Sequence, residues 1–267
     1  MAGDLKSVPP SFPLTAAELW RELETRASIV PTGCTNLDEL LEGGVYSGEV
    51  TELCGAPGVG KTQLCYSTIL ETCKVSTNTV VYMDTCCSFD ACRLAAMLNH
   101  HSNLQQYSED ILERVHCYVV SNVFEALQLL ADIEQRIITQ CDLFHCRLRL
   151  IVIDSITILI SPILGGKQFE GHSIMTQLAL TLSKLAQQYS LAILLVNNTV
   201  KDSATIDNIK PALGNTWSHV PTTRLMLHYN YDSDGVERIA SIVKSSRQAC
   251  GISTSFYITS AGLANVP

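Results

Sequence analysis

No stretch of this 267-residue chain is apolar for long enough to cross a bilayer, and the opening Met1-Ala2-Gly3-Asp4-Leu5-Lys6 lacks the apolar core of a secretory signal. The expectation is an intracellular protein without a membrane partner. No C-x-x-C pair occurs among its 11 cysteines. An odd number without such pairs argues for buried thiols in a reducing compartment rather than a disulfide framework. Cys141 and Cys146 flank His145, but that one cluster does not complete a tetrahedral zinc site. Positive charge is scarce, 18 Lys and Arg against 26 Asp and Glu, for a net charge of −8. Such a field repels phosphate, so nucleic-acid contact must come from a local basic patch or from partner subunits. Internal repeats are absent, and so is the arginine-dense lid that a small-molecule kinase needs to clamp its transition state. What remains, 46% hydrophobic and 16% charged, describes a globular chain able to bury a sizeable core.

The strongest motif is Gly55-Ala56-Pro57-Gly58-Val59-Gly60-Lys61-Thr62. It has the spacing of a phosphate-binding loop. Glycines let backbone N–H groups crowd round a β-phosphate, Lys61 brings a mobile charge, and the Thr62 hydroxyl suits Mg²⁺. The context fits as well: an apolar run over 50–54 reads as a strand, and 61–73 reads as a helix whose N-terminus would face the anion.

In chain order, prolines 9, 10 and 13 keep the first fourteen residues from forming a helix. A helix is expected over 15–26, with Leu19, Trp20 and Leu23 on one face. Phe12 either anchors on a neighbouring subunit or folds back onto its own core. Thr35 is expected to cap a short helix that Gly43 and Gly44 end. Strands are expected over 79–84, 115–120, 148–154 and 192–197, each covered on both faces. Asn122 and Glu125 read as a capping box, and the clearest long helix runs over 173–189. Residues 199–216 hold no period and are expected to form a long loop. Strand-like runs over 224–229, 238–243 and 254–258, with a turn at Asp232-Ser233-Asp234-Gly235, suggest an antiparallel finish. The fold class expected is α/β, a mostly parallel central sheet with antiparallel C-terminal strands.

The apolar run Leu150-Ile151-Val152-Ile153 ends in Asp154-Ser155, a carboxylate at a strand's carboxyl edge where it can serve Mg²⁺. Lys61, Thr62 and Asp154 would then suffice to bind Mg-ATP. Hydrolysis also needs a group to position or deprotonate water. At the end of the strand over 79–84, in Tyr82-Met83-Asp84-Thr85-Cys86-Cys87-Ser88-Phe89-Asp90, the only acids are Asp84 and Asp90, which are therefore the candidates.

These residues together resemble the RecA-like recombinases. The resemblance covers residues 29–267. It rests on Pro31-Thr32-Gly33 with Leu37-Asp38-Glu39-Leu40-Leu41-Glu42-Gly43-Gly44, the phosphate loop, Val152-Ile153-Asp154-Ser155 and Thr222-Thr223-Arg224-Leu225. Three further segments, 161–167, 210–214 and 244–248, are similar to the D-type paralogue group of the eukaryotic strand-exchange recombinase. The resemblance implies a RecA-type ATPase core over 27–267 behind a linker and lead-in helix over 1–26. It also implies ATP and Mg²⁺ as cofactors, a nuclear role in homologous-recombination repair, and assembly with other recombinase paralogues as a hetero-oligomer. ATP in this family lies at a subunit junction. Two loops facing the filament axis contact single-stranded DNA, and they match 164–171, with Lys167, and 199–214, with Lys201 and Lys210. Lys244 and Arg247 match groups that reach nucleotide across the junction; the alternative is two solvated charges on a late strand.

Four departures qualify what the resemblance implies. Full-length members usually carry a small helical domain before the linker, and this sequence begins almost at the linker. Cys86 stands where strand-exchange members carry a catalytic glutamate, and a thiol is a poor substitute for a carboxylate. Asn198 occupies the place of the glutamine that senses the γ-phosphate, one methylene shorter. In the second loop Lys201 and Lys210 are balanced by Asp202 and Asp207. The expectation is a subunit that binds ATP, turns it over slowly, and touches single-stranded DNA modestly. The competing reading is a structural adaptor in which ATP only holds subunits together.

Overall fold

The computed structural model describes residues 15–18, 28–100, 105–164, 168–202, 209–230 and 237–265. Helical backbone at 16–18 is the described part of the lead-in helix. Phe12, Leu19, Trp20 and Leu23, the turn at 232–235 and Lys167 lie outside the described residues.

Nine strands form the main sheet. They are β3 (Val50–Gly55), β4 (Thr79–Asp84), β5 (Val115–Val119), β6 (Leu148–Asp154), β7 (Ala192–Asn197), β10 (Thr223–Tyr229), β11 (Glu237–Lys244), β12 (Ser253–Thr259) and β13 (Gly262–Asn265). Their order is β13-β12-β11-β10-β3-β7-β6-β4-β5. The six strands from β10 to β5 pair in parallel, and the last three are antiparallel. β-branched and leucine side chains along the inner strands alternate between two cores. Tyr82, Val152, Leu194 and Leu53 enter one core, which is covered by α2 (Lys61–Lys74) and α3 (Ala91–His100). Met83, Ile153, Leu195 and Val50 enter the other, under α5 (Val123–Thr139), α7 (Ile156–Leu164) and α8 (Gln168–Tyr189). Parallel strands with helices on both faces bring their carboxyl ends, and any ligand crevice, to one edge.

Several expectations need correction. β5 is not covered on both faces: it is the outermost strand, and His116, Cys117 and Val119 are exposed. Thr35 does not cap the short helix α1 (Thr35–Leu40), because the N-cap is Cys34 and forms no side-chain cap bond. Asn265 Oδ1, brought over by the last strand, accepts the Asn36 N–H at 3.0 Å and supplies the cap instead. Residues 199–216 are not a featureless loop. β8 (Thr199–Lys201) pairs with β9 (Ile209–Pro211), and α9 (Gly214–Ser218) follows. The remaining strands, β1 (Ile29–Val30) and β2 (Val45–Tyr46), form a small antiparallel pair before the sheet.

Other expectations agree with the structure. Asn122 Oδ1 accepts the Phe124 and Glu125 N–H groups at 3.0 Å each. The Glu125 carboxylate returns to Ser121 N–H at 2.8 Å, one residue earlier than the usual reciprocal box. Gly44, at φ 135°, is needed because a Cβ there would collide with the Val30 carbonyl. The antiparallel finish is present, with Tyr229 opposite Arg238.

Candidate nucleotide site

β3 ends at Gly55, where a Cβ would lie 2.7 Å from the Leu227 carbonyl of β10. The chain then turns through Gly58 (φ 79°) and Gly60 (φ 109°), conformations that only glycine adopts without strain. Tyr229 Oη sits 2.8 Å from where a Cβ of Gly58 would be, and Ile258 fills the space at Gly60. The loop is therefore both bent and crowded in a way that excludes side chains. Leu64 N–H bonds back to the Gly60 carbonyl at 2.9 Å, so the amides of the preceding first turn of α2 are those a helix leaves for an anion.

Lys61 is buried, and its Nζ donates to the carbonyls of Gly55 (2.6 Å) and Ala56 (3.0 Å). Burial lowers its pKa, with the Asp154 charge acting the other way. The ammonium therefore lies folded over the loop and must leave two carbonyls to meet a phosphate. Thr62 Oγ1 donates to Asp154 Oδ2 at 2.6 Å, joining α2 to the end of β6. Tyr82 Oη donates to the same oxygen at 2.9 Å. Burial raises the Asp154 pKa, and the hydrogen bonds from Thr62 and Tyr82 and the Lys61 charge oppose that rise. A hydroxyl and a carboxylate beside an anion-binding helix end are hard oxygen donors, and the set fits Mg²⁺ with a nucleotide phosphate.

The two candidate bases are engaged elsewhere. Asp84 Oδ1 accepts Cys86 N–H at 3.0 Å and Oδ2 accepts Phe89 N–H at 2.8 Å, so both oxygens hold the following loop in place. Asp90 Oδ1 accepts Arg93 N–H at 3.0 Å near the start of α3, and its own N–H donates to Tyr66 Oη at 2.7 Å. Cys86, fixed between them, is exposed.

The remaining predicted residues have partners outside this set. Asn198 follows β7, its N–H bonded to Thr157 Oγ1 at 2.9 Å and its carbonyl to Ala212 N–H at 2.9 Å. Lys201 is exposed on β8, while Lys210 on β9 forms an ion pair with Asp202 at 3.3 Å. Lys244 and Arg247 are not solvated charges. Lys244 Nζ donates to the Ser218 carbonyl at 2.9 Å, and burial lowers its pKa. Arg247 pairs with Glu49 and lies 3.5 Å over the Tyr46 ring.

Sequence reasoning missed the cluster beneath these loops. Glu52, fully buried in β3, receives Arg224 Nε from β10, Trp217 Nε1 from α9 (2.7 Å) and Asn197 Nδ2 from β7 (2.9 Å). The available signal was a charged residue inside an otherwise apolar strand. Tyr82 was missed because it reads as one more strand aromatic.

The Cys141–His145–Cys146 segment is organised around Asp142. Among the described residues, no group of three potential ligands converges on a metal position. Asp142 instead caps α6 (Leu143–Cys146), accepting His145 N–H at 2.8 Å and Nδ1 at 2.7 Å. Burial works against its charge, but the bonds from His145 and the Cys141 thiol hold the carboxyl well below its ordinary range. A depressed carboxyl pKa gives stability that is complete above the unfolded value near pH 4 and is lost as pH falls through the folded value. Asp142→Ala is therefore expected to cost about 0.5–2 kcal/mol at pH 7. In denaturant melts between pH 7 and pH 3 that cost should shrink on acidification; a cost that grows would contradict the assignment.

The Rad51 family model matches residues 25–266. The chain belongs to the Rad51 family. The large, mostly parallel sheet with antiparallel C-terminal strands agrees with the RecA-like fold of this family. Among curated relatives, the DNA repair protein RAD51 homolog 4 of Bos taurus is 35% identical over 243 residues, covering 90% of this chain and 74% of that protein. The Mus musculus protein of the same name is 34% identical over 91% of this chain and 74% of its own length. The DNA repair protein RAD51 homolog 3 of Cricetulus griseus is 29% identical over 88% of this chain and 68% of its own length. This Rad51-family chain thus resembles more than one paralogue group.

Proposed function

We propose that the chain is an ATP-binding subunit of a recombinase-paralogue complex acting in homologous-recombination DNA repair in the nucleus. The observation that carries this reading is an asymmetry at the nucleotide site. The phosphate loop, Lys61, Thr62 and Asp154 form one connected set suited to Mg-ATP, whereas the base position holds Cys86 and both nearby carboxylates are engaged with backbone. The chain accordingly binds ATP with Mg²⁺ and hydrolyses it slowly, and the nucleotide acts mainly as a clamp between neighbouring subunits. Lys244 and Arg247 serve the junction only after leaving their present partners.

Contact with single-stranded DNA is modest. On the second loop Lys201 is exposed but Lys210 is neutralised by Asp202, which supports a weak, salt-dependent interaction. That same pairing favours the second reading, an adaptor whose partners carry the DNA.

The test is co-purification with candidate paralogues, with and without ATP, for the wild type and Lys61→Ala, followed by single-stranded DNA binding by each assembly. ATP-dependent assembly that Lys61→Ala abolishes is the expected result. Assembly and DNA binding that survive Lys61→Ala would show that ATP is neither switch nor glue.

A further inference from the structure

Asp154 receives two hydrogen bonds through a single oxygen. Thr62 and Tyr82 both donate to Oδ2, at 2.6 and 2.9 Å, and Oδ1 takes part in neither bond. Two donors satisfy the lone pairs of one carboxylate oxygen and fix the plane of the group. Thr62 stands in the first turn of α2, directly after the phosphate loop, so its hydroxyl is the partner that a metal would claim. Tyr82 lies away from that turn. It is fully buried in β4, with Val152 of β6 as its register partner. Its ring packs against Phe89 at 4.8 Å and Tyr66 at 6.0 Å, so its direction is set by packing rather than by solvent. A neutral phenol has one proton to give, and Asp154 is where it goes.

We propose that Tyr82 is the positioning residue that holds the Asp154 carboxylate in place for the divalent cation accompanying the nucleotide, a role that rests on the Mg-ATP reading above. Thr62 is free to turn toward a metal because Tyr82 keeps Oδ2 anchored when that hydroxyl leaves. Partners of this kind, one shell removed from a metal, typically change its affinity tenfold to a hundredfold.

The experiment titrates Mg²⁺ against the full chain with a fluorescent ATP analogue, and separately measures analogue affinity in EDTA. Tyr82→Phe keeps the ring that Phe89 and Tyr66 pack against and removes only the donor. It should require about tenfold to a hundredfold more Mg²⁺ for half-saturation, with affinity in EDTA unchanged. Tyr66→Phe, which alters a neighbouring hydroxyl bonded to Asp90 N–H, should keep the wild-type Mg²⁺ requirement. An unchanged requirement in Tyr82→Phe overturns the proposal while leaving the Mg-ATP reading intact. Equal losses in Mg²⁺ and in EDTA overturn it too, since they mark general loosening, as does an equal shift in Tyr66→Phe. A wild-type chain that binds no analogue under either condition removes the Mg-ATP reading and this role with it.

Discussion

Replacing Cys86 by glutamate should raise ATP turnover by about a hundredfold or more, the scale of a well-placed general base. The argument is geometric. Asp84 pins the N–H groups of Cys86 and Phe89, and Tyr66 holds that of Asp90, so the loop that would carry the base is already rigid. Cys86 is exposed, so a longer charged side chain enters water rather than the core. The resemblance to the strand-exchange recombinases implies a glutamate at this position, so on the slow-hydrolysis reading the site wants one carboxylate rather than a new scaffold. Single-turnover hydrolysis by the wild type and Cys86→Glu, alone and with paralogue partners, would measure the effect, with ATP binding checked in each. Equal turnover at saturating ATP would mean that catalysis fails for another reason. Fast turnover by the wild type, unaffected by Asp84→Asn or Asp90→Asn, would overturn the slow-hydrolysis reading itself.

Local chemistry makes the nucleotide loop and the strand ending in Asp154 legible in the sequence. Glycine spacing, β-branched runs and an acid at a strand end each report on neighbours within a few residues. The features that escaped are those assembled from far along the chain. The cap of α1 comes from Asn265, 229 residues beyond Asn36. The partners of Glu52 lie 145, 165 and 172 residues away. β5 has the apolar content of an inner strand, and only the sheet order reveals that it is the outer one. For Lys244 and Arg247 the sequence leaves a junction role and a solvated one both open, because Ser218, Glu49 and Tyr46 are invisible as partners at the level of periodicity.

The Glu52 cluster is where loss of one side chain should cost the fold most. Glu52 is 0% exposed and Arg224 is 7% exposed, so neither charge has water to fall back on. Glu52 Oε2 takes Arg224, and Oε1 takes both the Trp217 indole and the Asn197 amide. Asn197 in turn receives Thr157 Oγ1 at 2.7 Å and donates to the Ala212 carbonyl at 3.2 Å, so the network runs from the sheet centre to the β8–β9 pair. Glu52→Ala would strand a buried guanidinium and two buried N–H donors, at a cost of about 3–5 kcal/mol in chemical denaturation. Glu52→Gln retains an acceptor for Trp217 and Asn197 but replaces the oxygen facing Arg224 with an amide NH2, itself a donor, so it should recover only part of the loss. Glu52→Leu combined with Arg224→Met should recover part of the loss, because removing both charges of a buried pair is far cheaper than removing one. A loss below about 1 kcal/mol for Glu52→Ala would place this cluster among ordinary surface polar groups. The Glu52→Ala variant should also increase proteolytic cutting after β7, since Asn197, which donates to both Glu52 and the Ala212 carbonyl, is one of the ties between the second loop and the sheet. Loop order and core stability are then two readouts of one buried carboxylate.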